Sequence, residues 1–258
     1  MAILLELARR LDKKENLPHN VLLIFQPAEE SPGGARDLCE TGIFTKYNVT
    51  AIFGLHLWPG LAKGVVHSRP RELMSRSSEI NVDFYGRSAH IGRSWEGIDA
   101  LAAAVEFYSR VTAMEQAMDP GLYRLLKFGH FESGSVRNAI SDHTRMEGSL
   151  RAFQDEVFEG MAENIRAIAA DIQKKTGCRI EITMSSGYPA ILNPPELCSR
   201  VPEFALLDEP SMTSEDFSWY QRYVPGMFFF LGLGDAPALH SADFDFAESV
   251  LIKGADYF

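Results

Sequence analysis

Two adjacent carboxylates, Glu29 and Glu30, follow an unbroken apolar run, VLLIF at residues 21–25, after a short QPA linker. An apolar run without alternation is typical of a strand covered on both faces, and open α/β sheets bind ligands at the carboxyl ends of such strands. Adjacent acids repel each other, so the pair is favoured where a cation neutralises one carboxylate, or where one takes up a proton while the other coordinates a metal. The alternative interpretation is a solvated acidic loop.

Two histidines are the further candidates for metal ligands. His56 lies near the end of a second apolar run, AIFGLHL at residues 51–57, and His240 follows a third, MFFFLGLG at residues 227–234. Because parallel strands end at the same edge of a sheet, we expect both imidazoles near Glu30. One carboxylate with two imidazoles suits zinc or another divalent transition metal rather than calcium or magnesium. A lone strand histidine is also often a hydrogen-bonded core residue, so both interpretations of His56 stay open.

The order of the predicted elements indicates an α/β fold that a second domain interrupts. The helical segment GGARDLCETG lies between the first two apolar runs, which predicts a βαβ unit and a mostly parallel sheet. The middle of the chain instead follows the order strand, helix, strand, strand, helix, strand, which is the ferredoxin-like plan. We predict a metal-binding α/β domain at residues 1–70 and 187–258, and a ferredoxin-like α+β lid domain at residues 71–186.

Composition excludes several classes of protein. The 258 residues include 25 Lys and Arg against 35 Asp and Glu, a net charge of −10, which argues against nucleic-acid binding. No apolar run approaches the roughly 18 to 20 residues that span a bilayer. The three cysteines form no CxxC pair, which favours reduced thiols over disulfides. We therefore predict a soluble, cytoplasmic protein with neither a nucleic-acid nor a membrane partner.

Motifs along nearly the whole chain resemble those of the zinc amidohydrolase family of aminoacylases and carboxypeptidases. They are FQPAEESPGGA, GLHLWPG, GRSAH, ESGSVRNAI, EGSLR, SMTSEDF and the late LH pair. The branch they resemble most holds N-acyl-amino-acid amidohydrolases, hippurate hydrolase, N-acetyldiaminopimelate deacetylase and plant auxin-conjugate hydrolases. The resemblance implies a metal-binding α/β domain interrupted by a ferredoxin-like lid, which often mediates dimerisation in this family. We therefore expect a homodimer formed through the lid.

The resemblance also implies a role for individual residues of the α/β domain. Glu29 occupies the position of the general base that takes a proton from water, and Glu30 that of the adjacent metal ligand. His56 and His240 occupy two further ligand positions. The implied reaction is hydrolysis of the amide bond of N-acyl amino acids with a divalent metal, zinc being favoured over manganese, cobalt or nickel, and with two ions in the complete protein.

Three lid residues match further family positions. His90, in GRSAH, resembles the histidine that reaches the active site of a partner subunit and steadies the oxyanion. Asn138 matches the family's lid asparagine. Arg151, in EGSLR, matches an arginine that holds the substrate carboxylate. For His90 and Arg151 the alternative interpretation is an ordinary surface residue.

Two departures from the family pattern support a competing hypothesis. Family members carry a segment of the type ACGHDGH, which supplies a cysteine and a histidine to the metals, immediately before the helix that Met1 begins, and this sequence has none. The segment after Cys198 is also shorter than in relatives. The alternative is therefore a catalytically incompetent fragment, or a non-catalytic binding or dimerisation module of the same fold. A cysteine nucleophile is disfavoured, because no cysteine lies in an N-capped turn beside a predicted histidine partner.

Overall fold

The computed structural model describes residues 1–30 and 33–258, so only residues 31 and 32 of the motif FQPAEESPGGA lie outside it. The strands are β1 (Ile52–Trp58), β2 (Val66–Ser68), β3 (Arg71–Met74), β4 (Arg76–Tyr85), β5 (Arg124–Ser133), β6 (His143–Ala152), β7 (Arg179–Met184), β8 (Ile191–Asn193), β9 (Ala205–Leu206) and β10 (Gly226–Gly232). The α-helices are α1 (Ala2–Leu11), α2 (Ala35–Glu40), α3 (Ile43–Lys46), α4 (Ala100–Gln116), α5 (Asp155–Thr176), α6 (Pro195–Cys198) and α7 (Ser249–Tyr257), with 3-10 helices at Ile91–Glu96 and Asp216–Arg222. Among these described helices, none combines the length and the apolarity that crossing a membrane requires.

The chain divides into two compact units. The first holds Met1–Met74, Ile191–Ser211 and Glu215–Phe258, and the second holds Ser75–Ala190 and Met212–Ser214. The chain passes from one unit to the other after residues 74 and 190. The sequence pattern predicted these transitions after residues 70 and 186. The short segment 212–214 belongs to the second unit because the Ser75 backbone N–H donates to the Thr213 carbonyl at 2.8 Å. The Ser77 hydroxyl also donates to the Ser214 hydroxyl at 2.9 Å.

The first unit is built on a four-stranded sheet of order β1-β10-β2-β9. The β1–β10 and β2–β9 pairs are parallel and the β10–β2 pair is antiparallel. Every residue of β10 is buried, as expected of a strand covered on both faces. Phe228 and Phe230 pack in one apolar cluster and Phe229 and Leu231 in another, because successive side chains point to opposite faces. The predicted α/β class with a mostly parallel sheet is confirmed.

The first apolar run, VLLIF at residues 21–25, is not a strand, and this prediction was wrong. A strand requires a neighbouring backbone to complete its hydrogen bonds, and residues 21–25 pair with no described strand. The predicted βαβ unit is therefore not formed, and the parallel partner of β1 is β10, which comes from much later in the chain. Val21 and Phe25 remain 50% and 45% exposed.

The second unit follows the predicted ferredoxin-like order. Its sheet has the order β5-β6-β4-β7, with all neighbours antiparallel. The alternation predicted for β4 is present, since Ile80, Val82 and Phe84 are fully buried against α4 and α5 in one core. Helix α4 begins where the Asp99 carboxylate accepts a hydrogen bond from the Ala102 backbone N–H at 3.0 Å. We call this unit the lid.

Candidate active site

Three carboxyl groups meet in the first unit at Glu29, Glu215 and Asp216. Each offers an oxygen atom, and these oxygens all lie within 4.8 Å of one another. Glu215 and Asp216 stand at the start of the 3-10 helix and are 7% and 1% exposed, whereas Glu29 is half-buried. This acidic cluster therefore concentrates three titratable groups in a space largely shielded from water.

Burial and mutual repulsion raise the pKa of two members of the cluster. Burial, with the nearby Glu29 and Asp216 charges, raises the pKa of Glu215 to about 8. The pKa of Glu29 is raised by its own burial and then by the Glu30 and Asp216 charges, and a hydrogen bond with Glu215 opposes that rise. Glu215 is therefore protonated at neutral pH and donates a hydrogen bond to the Glu29 carboxylate. The raised pKa gives Glu29 the elevated proton affinity that a general base requires.

Asp216 fixes the segment that carries Glu29. Its Oδ2 atom accepts hydrogen bonds from the Gln26 side-chain amide at 2.7 Å and from the Ala35 backbone N–H, at the start of α2, at 3.0 Å. The Tyr220 hydroxyl donates to the side-chain oxygen Oε1 of Gln26 at 2.5 Å. The buried Asp216 carboxylate thus links Gln26, which precedes Glu29, to the start of α2, which follows it. The segment that carries Glu29 and Glu30 is thereby held against the 3-10 helix.

Two residues beside the acidic pair adopt backbone conformations that side chains disfavour. Ala28 has φ +57° and His240 has φ +62°, both in the left-handed region. Such conformations cost on the order of 1–3 kcal/mol for a residue with a Cβ and are found more often at functional sites than elsewhere. They aim Glu29 and His240 in directions that an ordinary extended or helical backbone would not give.

Gly34 allows the acidic segment to fold back on the start of α2. A Cβ atom at this position would lie 2.1 Å from the Pro27 carbonyl oxygen. We expect Gly34→Ala to displace the Pro27 peptide and to lower the free energy of unfolding by about 1–3 kcal/mol, as overpacking does. Urea unfolding followed by circular dichroism measures the change. Gly160→Ala is the control: apart from its chain neighbours and the backbone of α5 itself, nothing described lies within 4 Å of a Cβ there, so it should be neutral or stabilising. Equal stability of Gly34→Ala and the wild type would contradict this contact.

The predicted ligands Glu30 and His240 lie close together. Glu30 Oε1 lies 3.7 Å from His240 Nδ1, and both side chains are more than 70% exposed. His56 Nδ1 lies 2.6 Å from the Leu57 carbonyl, which leaves its Nε2 atom free. Within the described part of the chain, the one group of three potential ligands is the acidic cluster. The role of His56 as a ligand stays a prediction.

The side chains of Glu30, His240 and His56 are of the kinds that bind a divalent transition metal. Glu30 offers an exposed carboxylate next to an exposed imidazole of His240, and the free Nε2 of His56 adds the same kind of donor. Carboxylate and imidazole ligands together are typical of zinc and related ions. The assignment of Glu30, His240 and His56 as the ligands of such an ion stays a prediction.

The lid residues His90 and Asn138 lie on adjoining segments. The Ile91 backbone N–H donates to the Asn138 carbonyl at 3.0 Å, and both predicted residues are exposed. His90 Nδ1 accepts a hydrogen bond from the Gly92 backbone N–H at 3.2 Å, so the proton of the neutral ring is on Nε2. His90 can thus donate a hydrogen bond to a ligand through Nε2.

Arg151 is a half-buried cation that hydrogen-bonds to neutral groups. Its Nη1 donates to the Met212 carbonyl at 2.5 Å and its Nε to the Ser149 hydroxyl at 3.2 Å. Burial lowers its pKa, and the described hydrogen bonds of its guanidinium go to neutral groups. A guanidinium held by neutral groups keeps its charge available for an anion.

Comparison with known proteins assigns the family. All 258 residues match the sequence model of peptidase family M20/M25/M40. The chain belongs to this family. The resemblance identified from the motifs is therefore confirmed, and the chain is an M20 hydrolase by descent.

Relatives of this M20 chain include enzymes and solved structures. It is 31% identical to an uncharacterized hydrolase of Staphylococcus saprophyticus, over 97% of this chain and 69% of the relative. It is also 31% identical to an N-acetyldiaminopimelate deacetylase of Lacticaseibacillus casei, over 91% of this chain and 64% of the relative. The Bacillus subtilis YXEP protein, a dinuclear metal binding peptidase of the M20 family, matches with a TM-score of 0.73 and 27% identity, covering 91% of this chain and 62% of its own.

A putative aminohydrolase from methicillin-resistant Staphylococcus aureus shares the fold of this M20 chain with a TM-score of 0.87. The two are 24% identical, and the match covers 99% of this chain and 69% of that one. The dinuclear metal binding of the Bacillus subtilis relative agrees with a divalent metal in this family. No role was predicted for Glu215 and Asp216 from the sequence, although both lie in the motif SMTSEDF. The sequence signal that could have identified these two residues is that they are adjacent acids followed by an aromatic residue.

Proposed function

We propose that this M20 chain hydrolyses the amide bond of N-acyl amino acids, with Glu29 as the general base. The observation that carries the proposal is the acidic cluster, in which Glu29 is half-buried, has a raised pKa and accepts a hydrogen bond from Glu215. A carboxylate with raised proton affinity matches the needs of a base that works near neutral pH. The similarity to an N-acetyldiaminopimelate deacetylase supports the amide of an N-acylated amino acid as the substrate class.

The reaction assigns a separate task to each group. Glu29 takes a proton from the water that attacks the acyl carbon and delivers it to the departing amine, so the carboxylate is regenerated in each cycle. Glu30, His240 and His56 would hold a divalent metal, zinc by preference, which supplies Lewis acidity and lowers the pKa of water. His90, Asn138 and Arg151 keep the roles that the motifs imply, on the oxyanion and on the substrate carboxylate.

Metal content and turnover measured together test the proposal. The purified chain is saturated with Zn²⁺ or Mn²⁺, desalted, analysed by plasma mass spectrometry and assayed for amine release from N-acetyl-diaminopimelate and hippurate. The same chain fused to the unmatched part of the Staphylococcus saprophyticus relative is measured beside it. We expect metal-dependent hydrolysis that a chelator abolishes. If both proteins hold metal and cleave no N-acyl amino acid, the proposal is wrong. If neither holds metal, the non-catalytic alternative is supported.

Arg151 provides a prediction about substrate recognition. We expect Arg151→Ala to raise KM by about 10–100-fold for a substrate with a free α-carboxylate, since a hydrogen bond to a charged group contributes about 1.5–3 kcal/mol. KM for the corresponding amino-acid amide should stay unchanged, because that substrate lacks the carboxylate. Arg166→Ala removes an exposed arginine of α5 and is the control. Equal losses with both substrates would assign Arg151 a purely structural role.

We also propose that the protein is a cytoplasmic homodimer formed through the lid. Helix α4 leaves the apolar side chains of Leu101, Val105 and Tyr108 between 43% and 54% exposed, which is typical of a surface that another protein covers. The free thiols of the described chain suit a reducing compartment. Sedimentation equilibrium should give twice the mass of one chain, and a monomer at micromolar concentration would contradict the dimer.

A further inference from the structure

We propose that Tyr220 is a positioning residue for the reaction, which holds Glu29 in place through a hydrogen bond to Gln26. The inference rests on the proposed function, because it concerns the residue assigned there as the general base. Tyr220 lies on the 3-10 helix Asp216–Arg222, four residues after Asp216. Both of these side chains hydrogen-bond to the side-chain amide of Gln26, so one helix holds this amide at both of its ends.

The hydrogen bonds at Gln26 allow only one orientation of its amide. Oδ2 of Asp216 also accepts a hydrogen bond from the Ala35 backbone N–H, so the amide nitrogen of Gln26 has to face this oxygen. The amide oxygen can only accept, and the Tyr220 hydroxyl donates to it at 2.5 Å. Burial raises the pKa of Tyr220, which keeps the donated proton on the hydroxyl. Tyr220 therefore determines where the oxygen end of the Gln26 amide lies.

The ring of Tyr220 is held by aromatic packing. It is 4% exposed and meets the rings of Phe44 and Phe217 edge-on, with a centroid distance of 5.6 Å in each pair. Such contacts fix the orientation of a buried ring independently of its hydroxyl group. Tyr220→Phe should therefore keep the packing of the ring and remove only the hydrogen bond to Gln26.

The chain between Gln26 and Glu29 has little freedom to absorb a displacement. Only Pro27 and Ala28 lie between them, and the ring of Pro27 fixes its own φ. The Ala28 carbonyl accepts a hydrogen bond from the Gly33 backbone N–H at 2.9 Å. A shift of Gln26 is therefore passed on to Glu29. Misplacing a reacting group by about 1 Å can lower a rate by about 10²-fold.

Hydrogen exchange in the metal-free chain tests the anchoring without any turnover. The two reporters are the side-chain amide of Gln26 and the backbone N–H of Gly33, both followed by ¹⁵N NMR. We expect Tyr220→Phe to speed exchange at both by at least about fivefold, because local opening becomes easier. Tyr223→Phe is the matched control, since it removes the hydroxyl of a tyrosine that is 51% exposed. Unchanged exchange in Tyr220→Phe would overturn the proposal.

A double-mutant cycle tests whether Tyr220 acts through Gln26. The metal-saturated chain, alone and fused to the unmatched part of the Staphylococcus saprophyticus relative, is assayed with an N-acyl amino acid. We expect Tyr220→Phe to lower kcat by about tenfold, with KM and metal content unchanged. Gln26→Met keeps the length of the side chain without its amide. In that background Tyr220→Phe should lower kcat by less than about twofold, because the interaction is already lost.

The kinetic outcomes separate this inference from the proposed function. Equal losses of kcat in the wild-type and Gln26→Met backgrounds would show that Tyr220 acts by another route, and would overturn the inference. An active wild type with full kcat in Tyr220→Phe would overturn the inference and leave the proposed function standing. Absence of turnover in both forms of the wild type would overturn the proposed function, and the role of Tyr220 in the reaction with it.

Discussion

Glu29→Gln is expected to lower kcat for an N-acyl amino acid by about 10²–10⁴-fold, the usual contribution of a general base. The amide has nearly the same shape as the carboxylate, but it cannot take a proton from the attacking water. Metal content and KM should change little, because Glu30, His56 and His240 are retained. Steady-state kinetics, with metal analysis of the same sample, measures the effect.

Glu40→Gln is the matched control for this prediction. Glu40 lies on α2 of the same unit and forms an exposed ion pair with Arg36. Exposed ion pairs contribute little, so kcat should stay at the wild-type value. Turnover retained in Glu29→Gln would remove the general base from the proposed mechanism, even if metal binding is intact.

Glu215→Gln is expected to make the stability of the metal-free protein less sensitive to pH. The pKa of Glu215 is about 8 in the folded protein, against 4.5 for a glutamate exposed to water. Between these pH values the folded state binds a proton that the unfolded state has lost, so the free energy of unfolding falls as pH rises from 4.5 to 8 and levels off above 8. This one group contributes a slope of at most about 1.4 kcal/mol per pH unit.

Urea unfolding of the chelated protein at several pH values from 5 to 8 measures that slope. The wild type should lose stability steadily across this window, and Glu215→Gln should lose less, because its side chain does not titrate. Some slope remains, since the raised pKa of Glu29 acts in the same direction. Glu40→Gln should follow the wild type. Identical slopes in the wild type and Glu215→Gln would show that burial does not hold a proton on Glu215.

The lid was predictable from sequence because its signals are local. The alternation of Ile80, Val82 and Phe84 in β4 and the two long amphipathic helices each indicate their own structure. The elements pair within one continuous stretch of chain, so their order is enough to identify the ferredoxin-like plan.

The failure at VLLIF has a different physical origin. Composition indicates that a segment prefers to be a buried strand, but it does not indicate whether a neighbouring strand is available to pair with it. Val21 and Phe25 are therefore apolar residues of the kind found inside a sheet, yet they are 50% and 45% exposed.

In the candidate site, too, the residues with a local sequence signal were predicted and those that depend on tertiary contacts were not. Glu29 and Glu30 were found because they are adjacent in sequence and follow an apolar run. Glu215 and Asp216 contribute through tertiary contacts with a segment far away along the chain, and no spacing rule connects the two. For His56, the position on a strand was predicted from the sequence. The contact of its Nδ1 atom with the neighbouring Leu57 carbonyl was not.

The parallel pairing of β1 with β10 also sets an order of events during synthesis. Residues 52–58 must wait for residues 226–232, and all the strands of the lid leave the ribosome before that partner exists. Pairing across such a separation is slow, because a long loop must close before any contact forms. The lid can therefore fold while translation continues, and β1 pairs with β10 only after residues 226–232 have emerged. In this interval the nascent chain is most open to aggregation and to chaperone binding.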